Sequence, residues 1–163
     1  MTDTTEATRR KLAAVVYNPI KIDLDAVKSV VEAEEQAANW EPTLWFETSV
    51  EDPGGGQARK AIDAGATVVL AAGGDGTVRA VAEVLQGTDA AIALLPSGTG
   101  NLLARNLSLT LNDLEHSVHS AFSGGDRSID VALTDIYRED GSHTRHAFLV
   151  LSLIHISEPT RPY

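Results

Sequence analysis

Apolar residues in this chain come in short runs that alternate between two spacings. Residues 11–19, KLAAVVYNP, form a continuous apolar run closed by an Asn-Pro turn, the pattern of a buried strand. Residues 23–38 change to helical spacing, with Leu24, Val27, Val30 and Val31 on one face and Asp23 placed to cap the start. The opposite face is acidic and reads as solvated surface. Residues 43–49, TLWFETS, are rich in strand formers, and EDPGGG (51–56) breaks that run before a helical stretch at 57–63. Residues 67–72, TVVLAA, predict a strand that enters a glycine turn and a helix over 77–85. A further strand at 90–96, AAIALLP, runs into a second glycine turn, SGTGN, and the helical segment NLLARNL. Residues 112–122 predict one more helix, with Gly124 and Gly125 as its C-terminal stop.

Strands that alternate with helices, and are apolar enough to be covered on both faces, predict a parallel sheet in an α/β layer fold over residues 11–125. From residue 127 the pattern changes. RSIDVALTDIY, a turn at REDGSH and TRHAFLVL predict an antiparallel hairpin, so that a second, all-β unit begins over 126–150. Residues 1–10 are read as a disordered lead.

With 163 residues, the chain is long enough for one domain, or one domain and part of another. Thirteen Lys and Arg against 23 Asp and Glu give a net charge of −10 with no basic cluster, which argues against nucleic-acid binding and against an electrostatic grip on anionic membranes. No cysteine is present, so disulfides and thiolate metal sites are excluded. The polar opening MTDTTEATRR has no apolar signal region, and no run approaches the ~20 apolar residues of a membrane span. The expected location is cytoplasmic.

The chemistry concentrates in AAGGDGTVRAVAEVL (71–85). Gly73, Gly74 and Gly76 permit positive φ and close approach of backbone to a ligand, and Thr77 is placed to cap the following helix, whose amides would face an anion. The P-loop pattern fails for want of a lysine after the glycines, and GxGxxG fails because Arg79 occupies the third glycine position. A lone glycine pair would be an ordinary strand-to-helix turn. Two features separate this one: Asp75 is not required by such a turn, and PSGTGN (96–101) follows one βα unit later. Successive strands of a parallel sheet end at the same carboxyl edge, so both turns could face one ligand. Beside a nucleotide triphosphate, Asp75 could hold Mg²⁺ directly or through water, or accept a hydrogen bond from a hydroxyl. His116, His119, His143 and His146 lack a third ligand nearby and read as solvated, and Trp40 and Trp45 read as packing residues.

GGDGT followed by a helix, then LLPSGTGNLLARNL, with an early VVYNP strand end, resembles the catalytic domain shared by diacylglycerol kinases, sphingosine kinases and bacterial lipid kinases. The resemblance covers residues 11–150. It implies a phosphofructokinase-like parallel-sheet domain that binds ATP, followed by a β-sandwich that completes a cleft for a lipid hydroxyl. It implies ATP contacts from Gly73, Gly74, Asp75, Gly76, Thr77, Val78 and Arg79, and from Gly98, Thr99 and Asn101 of the second turn. Thr48 and Asn18 match positions near the nucleotide, and Asp75 takes the catalytic and magnesium-binding roles. Asp130 matches a family aspartate. Leu102 departs from the pattern GTGND, and Arg79 stands where many members have asparagine.

The family's general base lies in the sandwich domain, so this chain is expected to be an inactive N-terminal fragment of an ATP-dependent lipid kinase. Residues 151–163, LSLIHISEPTRPY, resemble the conceptual translation of a sequencing adaptor and are read as a non-native tail. Expected partners are ATP and a diacylglycerol-like or sphingoid lipid. Peripheral membrane contact would come through the missing domain, and the edges of a severed sandwich would favour a homodimer. The alternatives are an NAD kinase, whose nucleotide turn also reads GGDGT, and a non-catalytic nucleotide-binding regulatory module.

Overall fold

The computed structural model describes residues 10–97, 101–110, 112–126 and 128–148. The apolar runs ahead of the second glycine turn become β1 (Leu12–Tyr17), β2 (Glu41–Glu47), β3 (Val68–Gly73) and β4 (Ala91–Pro96). They form one parallel sheet in the order β2-β1-β3-β4. The helices between and after them are α1 (Leu24–Ala37), α2 (Gly55–Asp63), α3 (Asp75–Leu85), α4 (Leu102–Asn106) and α5 (Leu114–Ser123).

Alternation along each strand sorts the core into two layers. Ala14, Val16, Val69 and Ala71 point to the face covered by α2, α3 and α4, where Ala58, Ala61, Val78, Val81, Leu85 and Leu103 complete one cluster. Ala13, Val15, Leu70 and Ala72 point to the other face and meet Val27 and Val31 of α1 and Val118 and Phe122 of α5. Cover on both faces is the reason the strand segments read as continuous apolar runs. Trp40 packs on Phe122 with ring centroids 4.8 Å apart, and Trp45 meets Tyr17 edge-on, as packing residues should.

Several boundaries move for identifiable reasons. β2 starts at Glu41, ahead of its strongest strand formers, and includes Pro42. The pairing with β1 is irregular there, because Leu12 and Ala14 face Glu41 and Leu44, and β2 is the sheet's edge, so a residue without an N–H is tolerated. α2 starts two residues early, at Gly55, because the Asp52 carboxylate accepts hydrogen bonds from the Gly54 and Gly56 amides and so closes the helix start. Gly54 has φ 142°, and a Cβ there would meet Val16 and Val81 side chains, so glycine is required on both counts. α1 is capped as expected, with Asp23 Oδ1 accepting from the Ala26 amide at 3.1 Å.

The hairpin after α5 is present, as β5 (Ala132–Tyr137) paired antiparallel with β6 (His143–Phe148). It begins later than the pattern predicted, since residues 128–131 are not strand. Arg145 spans it with two hydrogen bonds to Asp135, at 2.7 and 2.9 Å. The adaptor-like tail, residues 1–9, and Gly98 and Thr99 lie outside the described residues. Among the described residues no helix is long and apolar enough to cross a membrane.

Leu70 is fully buried at the centre of the sheet, and Leu70→Ala is expected to cost about 2–5 kcal/mol of stability, read from urea unfolding midpoints. The hydrogen bonds from Arg145 hold the Asp135 carboxyl below its ordinary value of 3.8. A depressed carboxylate contributes above its unfolded pKa and loses that contribution as pH falls through the folded one. The cross-strand pair should therefore persist at pH 4 and weaken only in stronger acid. An NMR titration of Asp135 should show a midpoint below 3.8 that returns toward it in Arg145→Ala.

Candidate functional site

Because all four strands run the same way, their carboxyl ends share one edge of the sheet, and hydrogen bonds tie the residues just past those ends together. The Thr48 amide donates to the Tyr17 carbonyl at 2.8 Å, and the Asn18 amide donates to the Ala72 carbonyl at 2.9 Å. Gly73, the last residue of β3, pairs in register with Pro96, the last residue of β4. Asn18, Thr48, the GGDGT turn and the start of the second glycine turn thus occupy one rim. β1 and β3 leave that rim between α1 on one face and α3 on the other, which is where open α/β sheets bind ligands.

The glycines of GGDGT serve space rather than unusual backbone. None of Gly73, Gly74 and Gly76 has positive φ, contrary to the expectation from sequence. A Cβ on Gly73 would lie 2.8 Å from Cβ of Thr77, so β3 and α3 can join this tightly only through glycine. Added Cβ atoms on Gly74 and Gly76 would meet nothing within 4 Å, which leaves the backbone there open to an approaching group.

The helix also starts earlier than the sequence predicted. Gly74 is the N-cap of α3 and Asp75 its first residue, so Thr77 is not the cap. Thr77 is buried instead, filling the space that Gly54 and Gly73 leave. Val78 is also buried, and its amide donates to the Gly74 carbonyl at 3.1 Å, so its side chain belongs to the core. Arg79 is exposed.

Asp75 makes the contact that the sequence did not reveal. Its Oδ1 accepts a hydrogen bond from the Leu102 amide at 2.9 Å, bridging the first residue of α3 to the first residue of α4. Asn101 caps α4 from within, with Oδ1 accepting from the Ala104 amide at 3.1 Å. Acidic side chains likewise accept from the first turns of α1, α2 and α5, through Asp23, Asp52 and Asp113. No side chain caps α3. Its start is therefore the place along this rim with amide polarity left for an anion.

Two further polar groups beside the second turn lack partners. Asn101 is 1% exposed, and its Nδ2 has no hydrogen bond, nor does the buried Ser97 hydroxyl. Ser97 was not singled out in the sequence, although its position at the end of β4 was the available signal. Buried groups without partners are uncommon in native structures and can be completed by a water, an ion or a ligand; Thr43, Gln57 and Thr144 carry others elsewhere in the fold.

Among the described residues no group of three His, Asp or Glu could hold a metal. His119 instead meets Glu34 at 2.9 Å in an exposed pair between α5 and α1. A cavity of about 580 Å³ lies along the outer side of β4, lined mainly by apolar residues such as Leu85, Ile92, Leu107 and Leu109. None of Gly73 to Arg79 lines it, so we place the candidate chemistry at the sheet rim.

The chain is similar to diacylglycerol and lipid kinases. Residues 13–134 match the family described as diacylglycerol kinase catalytic domain, and the chain belongs to that family. A Cronobacter sakazakii protein named "Probable lipid kinase YegS-like" is 40% identical over 77 residues, 45% of this chain and 25% of that protein. A Mycobacterium tuberculosis diacylglycerol kinase is 34% identical over 71 residues, 44% of this chain and 23% of that protein. A crystal structure of a diacylglycerol kinase from Bacillus anthracis superposes with a TM-score of 0.60 at 21% identity, covering 82% of this chain and 44% of that one. The matches thus span about a quarter of the curated relatives and under half of the solved structure.

The geometry separates the two kinds of glycine in the turn. Gly73→Ala should destabilise the fold by about 1–3 kcal/mol through overpacking against Thr77. Gly76→Ala should instead raise stability by about 0.5–1 kcal/mol, as a helical glycine in open space. Thermal unfolding of the two variants checks the split.

Proposed function

We propose that this chain is the nucleotide-binding part of an ATP-dependent lipid kinase, with the triphosphate held between the two glycine turns. The observation that carries the reading is the pairing of Gly73 with Pro96, which sets both turns side by side at one rim in a chain of the diacylglycerol kinase catalytic domain family. The uncapped start of α3 and the open backbone at Gly74 and Gly76 would receive phosphate oxygens. Asn101 Nδ2 and the Ser97 hydroxyl are further donors beside the second turn. Asn18 and Thr48, on the adjoining strand ends, would border the rest of the nucleotide.

The residues present fit magnesium in one way. Mg²⁺ is commonly held by one or two carboxylates together with substrate phosphates and water. With Oδ1 occupied by the Leu102 amide, Asp75 would offer its second carboxylate oxygen, Oδ2, as the protein ligand. Bound there, the ion would offset the repulsion between carboxylate and phosphate and neutralise charge on the transferring group. The family and the names of the relatives support a lipid hydroxyl as acceptor. The β5–β6 hairpin would be the first part of a second domain that supplies the general base and the lipid cleft.

Calorimetric titration tests the reading. The chain should bind Mg-ATP saturably, and Gly76→Ala, which puts a methyl group where phosphate would approach, should weaken binding by about tenfold, equivalent to ~1.4 kcal/mol. No binding of Mg-ATP would end the nucleotide assignment. With γ-labelled ATP, transfer to NAD would favour a NAD kinase, and transfer to diacylglycerol would establish a lipid acceptor.

A further inference from the structure

The bond between Asp75 and Leu102 assigns Asp75 a second duty. We propose that Asp75 is a positioning residue whose Oδ1 latches the start of α4 to the start of α3, so that the two glycine turns engage nucleotide phosphates as one unit. This deepens the nucleotide-binding reading and rests on it.

The latch joins groups that are far apart along the chain. Asp75 and Leu102 are 27 residues apart, and the backbone between them passes through α3, β4 and the second turn. α4 is only five residues long, and its first turn is secured by two side chains: Asn101, which precedes it, and Asp75, from across the rim. Asn101 is a local cap that would travel with the second turn wherever that turn went. Asp75 adds a side-chain tie from GGDGT to the residue that follows the turn, beyond the strand pairing of Gly73 with Pro96. A hydrogen bond from an amide to a carboxylate is stronger than one between neutral groups, so it suits a contact that must hold the spacing between two loops.

The same bond explains an acid in the midst of glycines suited to phosphate. One carboxylate oxygen is committed to a backbone amide, and the side chain lies at the start of α3, where a negative charge is favoured. The acid is thus held by the protein before any ligand arrives. It also accounts for Leu102 in place of an acid, because position 102 contributes its backbone N–H while its side chain is half exposed.

Leu102→Pro tests the latch without touching the carboxylate. Proline is favoured at the first position of a helix, and it needs an extended preceding residue, which Asn101 is, with φ −80° and ψ 94°. The variant deletes the N–H that Asp75 accepts and keeps the helix and the charge. Mg-ATP affinity should fall about tenfold, the order expected for loss of a hydrogen bond to a charged group. Asp75→Ala should cause a clearly smaller further loss in the Leu102→Pro background than in the wild type. Unchanged affinity in Leu102→Pro, or losses in the double variant that multiply in full, would overturn the latch and leave Asp75 acting on its own.

A second measurement stands apart from nucleotide binding. By amide hydrogen exchange, Leu102 should be protected in the wild type and in Asp75→Asn, which keeps an acceptor oxygen, and should exchange about tenfold faster in Asp75→Ala. A Leu102 amide that exchanges equally fast in all three would refute the latch. If the wild type fails to bind Mg-ATP while this exchange pattern holds, the nucleotide reading falls and the latch stands as a structural contact.

Discussion

Parallel strand direction is the constraint from which the site follows. Each crossover must return to the starting edge before the next strand can begin, so every strand ends at the same rim and every following helix begins there. Gly73 opposite Pro96 expresses that constraint at one register position. Two turns that are distant along the chain become neighbours because β3 and β4 are hydrogen-bonded neighbours. The core enforces the arrangement, since slipping either strand by one residue would exchange the α2/α3/α4 face for the α1/α5 face.

Carboxylates hold several helix starts in this acidic chain. Asp23, Asp52 and Asp113 each accept amides at a helix start near them in sequence, and Asp75 does so across the rim. These contacts satisfy donors that a helix leaves free and place negative charge at the positive end of the helix dipole. α3 stands apart: its own acid faces the neighbouring helix, and its cap is a glycine without a side chain. The amides of that turn are thereby left without a side-chain cap, and Asn101 nearby carries a buried donor without a partner.

Most of the architecture was legible because it follows from short-range rules. Continuous apolar runs mark strands covered on both faces, Asp23 reads as a cap, and the change of pattern after α5 marks a hairpin. The two misplaced helix starts share one feature. α2 and α3 start two residues early, and in both cases glycines that look like breakers are taken into the first turn, Gly55 and Gly56 beside the Asp52 carboxylate and Gly76 in open space. The intrinsic preference of glycine therefore does not decide where these two helices begin.

The sequence by itself determined the α/β alternation, the two glycine turns and the odd position of Asp75, because strand and helix periods and turn chemistry are local. Only the tertiary structure decided that Thr77 and Val78 are buried, that Gly73 is required by a side chain rather than by its own dihedral angles, and that Asp75 reaches Leu102. Those outcomes depend on which strands become neighbours and how closely a helix approaches the sheet, distances that no local pattern encodes.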